Sequence, residues 1–119
     1  MIRLIHCVRK REDTSLEEFR SWWQSPEFDL LLQRMAGFMG ARRFTKNATL
    51  AVDANLWLME VRNLAEPFDG VIEYWWDNAT HLMDVAKGES FQVIREEMEN
   101  FQRQFIDLDR ALIFFTEGK

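Results

Sequence analysis

The chain has 119 residues, a formal net charge of −5, 47% hydrophobic and 13% aromatic residues, and a single cysteine. That length fits one domain, residues 1–119, whose core needs no staples. The negative charge disfavours nucleic acid or an anionic membrane as partner, and one Cys excludes an internal disulfide.

Residues 1–8 read as a strand with Ile2, Leu4, His6 and Val8 on one side and Arg3, Ile5 and Cys7 on the other. Apolar residues on both faces predict that both are covered. Helices cover one face, and with no second sheet in the chain the other calls for a second copy, a homodimer. Ser15 and Glu18 form a capping box, and Leu16, Phe19 and Trp23 follow at helical spacing. Pro26 predicts a break, because Ser25 before it is pushed from helical geometry. Leu30, Leu31, Arg34 and Met35 resume a helix that Gly37 and Gly40 end, and a second strand is expected over 41–46.

Segment 47–67 permits a strand across Leu56 to Val61, but Trp57, Val61 and Leu64 at helical spacing favour a short helix capped by Asp53. A third strand is predicted over 71–76. Asp77 or Asn78 would then cap a helix carrying Leu82, Val85 and Ala86, which Gly88 stops. Ser90 opens another helix with Phe91, Ile94, Met98, Phe101 and Phe105 in steps of three and four, and a last strand covers 111–116. Two strand–helix–strand halves predict an α+β fold, a ferredoxin-like split βαβ sandwich. Five Trp and ten Phe exceed what one small sheet absorbs, so the surplus is expected in a ligand cleft or against a partner.

The order and spacing of Ser15-Leu16-Glu17-Glu18-Phe19, Trp22-Trp23 and Phe68-Asp69-Gly70-Val71-Ile72-Glu73-Tyr74-Trp75-Trp76 resemble the EthD family of dimeric α/β-barrel proteins. Phe105-Ile106-Asp107 and Phe114-Phe115-Thr116-Glu117 add to the likeness, which spans nearly the whole chain. The resemblance implies a four-stranded antiparallel sheet with helices on one face, two such sheets packed face to face in a homodimeric α/β barrel, and a cleft between sheet and helices. The superfamily includes polyketide cyclases, isomerising or dehalogenating enzymes, cofactor-free monooxygenases and haem-handling proteins, so fold alone does not fix function. Members often carry a Trp-x-x-x-His pattern. Here Trp23 is followed at that spacing by Glu27, so the base is lost or replaced by a carboxylate.

Four residues are candidates for acid/base work. Glu73 lies in an apolar strand, where desolvation would raise its pKa; a structural ion pair with Arg3, Arg42 or Arg43 is the plainer alternative. His6 has a near-neutral pKa and an apolar strand face, though a lone His there is more often a satisfied core residue. Tyr74 can polarise a carbonyl or simply fill the core, and Glu27 substitutes for the family His or complements the dipole of the helix after Pro26. His81 reads as a surface residue and Cys7 as an inert strand thiol. Arg9-Lys10-Arg11 reads as a solvated loop.

The His and Cys positions give no ligand spacing for a metal, and no glycine-rich phosphate loop is present, so no metal or cofactor is expected. No apolar signal segment opens the chain and no apolar run nears the roughly 20 residues of a membrane span. With one Cys, a cytoplasmic location is the expectation. The expected ligand is a small hydrophobic or aromatic molecule of catabolism or polyketide metabolism, bound with or without cofactor-free cyclase, isomerase or monooxygenase chemistry. The alternatives are a non-catalytic binding or accessory dimer, and a dimer whose cleft is plugged by side chains such as Trp23 and Trp76.

Overall fold

A computed structural model describes residues 1–80 and 82–118, which leaves His81 outside the described residues. In chain order the elements are β1 (Ile2–Val8), α1 (Leu16–Trp23), α2 (Pro26–Phe38), β2 (Arg43–Ala48), α3 (Asp53–Arg62), β3 (Gly70–Trp76), α4 (Leu82–Ala86), α5 (Glu89–Gln102) and β4 (Leu112–Glu117). A 3₁₀ turn at Leu108–Arg110 leads into β4. The sheet is antiparallel in the order β2-β3-β1-β4. This is the ferredoxin-like α+β architecture, with α1, α2, α4 and α5 on one face.

Local chemistry sets the helix boundaries. The Ser15 hydroxyl accepts from the Glu18 N–H at 3.1 Å, the predicted N-cap. Pro26 begins α2 at its first position, where a missing N–H costs nothing, and Ser25 caps that helix. β2 starts two residues later than expected. Gly40, at φ +68°, turns the chain, and the Ala41 N–H returns to the Ala36 carbonyl at 2.8 Å, so the turn that closes α2 occupies Ala41 before the strand can begin.

Three other expectations need correction. Val52, not Asp53, occupies the N-cap of α3, and Asp53 is its first residue. The Asn78 side chain accepts from the Thr80 N–H at 2.9 Å, forming a turn ahead of α4. Gly88 both stops α4 and caps α5, whose first residue is Glu89, so Ser90 falls inside the helix.

Period-two alternation divides the sheet. In β3, Gly70, Ile72, Tyr74 and Trp76 are buried against the helices, while Val71, Glu73 and Trp75 face the other way. The register places Ile2, Leu4, His6 and Val8 beside the buried set, and Arg3, Ile5 and Cys7 on the open face. On the helix side Phe19, Trp23, Phe28 and Phe105 form the centre of the core. Their rings meet at centroid distances of 5.4 to 5.8 Å in stacked, tilted and edge-on geometries. The outer edge of the Trp23 ring packs against Gly70, where a Cβ would come within 2.5 Å of it.

Trp23 is 2% exposed and cannot retreat, so Gly70→Ala should overpack the site. The expected loss is about 1–3 kcal/mol of unfolding free energy, read from urea denaturation. An unchanged midpoint and slope would show that the ring moves freely.

Candidate functional site

The four titratable candidates fall in different places. Glu73 is on the open face, 3.7 Å from the Arg3 guanidinium, so the ion-pair alternative is the arrangement present. His6 is on the helix face, flanked by Ile72 of β3 and Ile113 of β4. Its imidazole has no hydrogen-bond partner among the described residues, and burial lowers its pKa below the ordinary 6.5. Tyr74 is on the same face, buried between Phe44 and Trp76; burial pushes its hydroxyl above the ordinary value of 10, so it stays a phenol. Glu27 is exposed in the first turn of α2, next to the helix N-terminus. The structure therefore brings His6 and Tyr74 to one face and separates both from Glu73 and Glu27.

One concave feature on that face is a cleft of about 650 Å³ between β1 and β4 on one side and α4 and α5 on the other. Ile2, Leu4, Ile113 and Phe115 form its floor; Leu82 and Phe91 are among the helix residues above. The lining is almost wholly apolar, with Thr116 and Glu117 as its polar members. The volume is in the range of small-molecule sites. Trp23 and Trp76 do not plug it: Trp23 sits on Gly70, and Trp76 packs beside Phe115 at 5.9 Å and donates its indole N–H to the Met39 carbonyl at 3.0 Å.

The cleft exists because α4 has five residues and buries none of them. The core aromatics that the helix layer supplies come from α1, α2 and Phe105 just past α5, which leaves the β1–β4 side thinly covered. Reading the sequence for chemistry missed this site, since its walls carry no titratable signature. The available signal was the surplus of aromatic residues and the run Leu112-Ile113-Phe114-Phe115.

The open face carries a polar ladder. The guanidinium groups of Arg3 and Arg43, on the strands flanking β3, stack on the Trp75 ring at 4.7 and 4.3 Å. Cys7, on the same face, has its thiol pKa raised by burial and then by the Glu73 charge, consistent with an inert thiol. Among the described residues no three His, Cys, Asp or Glu side chains gather as a metal site, and no helix is long and apolar enough to cross a membrane.

The EthD domain family matches residues 11–104. An ethyl tert-butyl ether D family protein of Bacillus halodurans is 13% identical and superposes with a TM-score of 0.62, covering 100% of this chain and 99% of its own. A dimeric protein of unknown function with a ferredoxin-like fold, from Bacteroides fragilis, is 11% identical at a TM-score of 0.59, over 98% and 95% of the two chains. SnoaB, a cofactor-independent oxygenase of Streptomyces nogalater, is 11% identical at 0.54, over 99% and 92%. At these identities the structures show a common fold. No curated protein sequence matches the chain.

His6 yields a pH prediction. Its folded pKa is lowered, so on acidification the unfolded chain takes up a proton before the folded chain does. Its contribution to stability is complete above the ordinary 6.5 and is lost as pH falls from there through the lower folded value. NMR titration should place the His6 imidazole below 6.5, and His6→Gln should flatten the stability profile in that window. A midpoint at or above 6.5 would mean that the ring is solvated or paired with an acid.

Proposed function

The chain belongs to the EthD domain family, and from that premise we propose that it binds a small apolar or aromatic molecule in the cleft beneath α4 and α5, as a homodimer through its open sheet faces. The observation that carries the reading is the cleft itself: about 650 Å³, bounded by Ile2, Leu4, Phe91, Ile113 and Phe115. Such walls favour a ligand with little charge and a planar or hydrocarbon body, because an ion there would lose hydration without a counter-charge. Glu117, which shares the inward face with Ile2, can accept a hydrogen bond from a ligand hydroxyl at one side. The dimer is supported by the two-sided β1 strand and by the description of the Bacteroides fragilis relative as dimeric.

Binding without turnover is the primary reading, since Glu27 replaces the family His and Glu117 is the one titratable side chain of the lining. Acid/base catalysis is a second reading, and His6 carries it. It shares β1 and its inward face with Ile2 and Leu4, its cross-strand neighbour Ile113 lines the cleft, and its lowered pKa keeps it a neutral base. SnoaB is a cofactor-independent oxygenase on the same fold, which makes oxygen-dependent turnover of a phenolic ligand one reaction to assay. Tyr74 can only donate in such a step. Glu73, across the sheet, belongs to the open face.

Tryptophan fluorescence read against a panel of phenols, quinones, polyketide-like aromatics and ethers should give saturable quenching for one class, with Trp76 beside the wall residue Phe115 as reporter. Ala86→Trp, which fills the cleft from α4, should weaken that binding by about tenfold or more, and Glu73→Gln should leave it unchanged. Equal affinity in Ala86→Trp would place the ligand elsewhere. Product formed by the wild type but not by His6→Ala would establish the catalytic reading.

A further inference from the structure

The 21 residues between β2 and β3, 49–69, form an arm of unusual construction. Its base is clamped. The Thr49 N–H donates to the Asp69 carbonyl at 2.9 Å, and the Asp69 carboxylate accepts from the Lys10 N–H at 2.7 Å. The Arg9 guanidinium donates to the Glu66 and Pro67 carbonyls at 3.2 to 3.3 Å, and Arg20 donates to the Thr49 carbonyl at 2.9 Å. The helix it carries is finished at its C-terminus by Asn63 at φ 53°, with the Leu64 N–H returned to the Met59 carbonyl at 3.0 Å.

Yet α3 buries none of its residues, and Leu56, Trp57, Val61 and Leu64 are all more than half exposed. A projecting element also accounts for the radius of gyration, 15.3 Å, against about 13.5 Å for a compact chain of this length. Polar loops have no need of a clamped base and a finished helix. An apolar helix held ready and left bare is preorganised for docking.

The open sheet face suggests what it docks on. Four strands of six or seven residues make a flat footprint of about 440 Å² from strand spacing and rise. A standard-size interface buries about 800 Å² per partner, so sheet packing alone supplies roughly half of that. The charges also fit: the part of the arm beyond its clamped base, 53–66, carries Asp53, Glu60 and Glu66 against Arg62, while the open face carries Arg3 and Arg43 against Glu73.

We infer that α3 is a dimerisation arm: the apolar stripe of Leu56, Trp57, Val61 and Leu64 docks on a second copy of this chain and supplies the interface that the open sheet face lacks. The inference rests on the sheet-packed dimer proposed above. Because α3 contributes nothing to the core of its own subunit, its surface can be changed without disturbing the fold.

The test is sedimentation velocity over the micromolar range on the wild type, Trp57→Ser/Val61→Ser and Phe114→Glu, which charges the open face. The wild type should be a dimer. The arm variant should dissociate about 30-fold or more readily while keeping its far-UV circular dichroism. Leu56→Glu, a single change on the same helix, should act in the same direction. If the arm variants dimerise as tightly as the wild type and Phe114→Glu does not, the arm inference falls and the sheet dimer stands. A wild type that stays monomeric throughout overturns both.

Discussion

The contact between Trp23 and Gly70 sets the position of everything on the helix side of the sheet. An indole whose edge packs this closely against a strand needs a residue without a Cβ at the contact, and Gly70 supplies that space. With the ring fixed there, α1 ends over the first residue of β3, and the Lys46 ammonium joins the Trp23 carbonyl to Asp29, the latter at 2.6 Å. The chain can then break at Pro26 and send α2 back across the sheet with Phe28 against Trp23 at 5.5 Å. The core is thus anchored at one end of β3, and the opposite side, under the short α4, is left as the cleft.

The two sheet faces serve different ends because their residues alternate. Inward residues of β1 and β3 divide between core and cleft: Val8 and Ile72 pack, while Ile2 and Leu4 line the ligand space. Outward residues mix hydrocarbon, such as Ile5 and Phe114, with the ladder of Arg3, Trp75, Arg43 and Glu73. A partly apolar face with paired charges suits association with a like surface. The cleft opens alongside β4, so strand β4 belongs to both the ligand site and the open face.

The candidate residues show how far local reasoning carries. Alternation placed His6, Tyr74 and Glu73 on their faces, because side-chain direction in a strand is local. It could not separate a carboxylate desolvated at a ligand from one paired across strands, since Arg3 reaches Glu73 only through the β1–β3 register. The helix within 47–67 was legible from Trp57, Val61 and Leu64, but the exposure of that stripe was not. Periodicity reports which residues share a face, not what covers that face.

By itself the sequence determined the order of elements, the cap at Ser15, the break at Pro26, the alternation of β1 and β3, and the likeness to the EthD family. All of these depend on neighbours in the chain, where propensity, capping and period are written directly. Tertiary structure alone decided that Trp23 rests on Gly70, that Lys46 closes the end of α1, that Glu73 faces Arg3 away from the cleft, and that an apolar space remains beneath α4. Each of these joins residues distant along the chain, and packing and register, which fix such meetings, exist only once the sheet has formed.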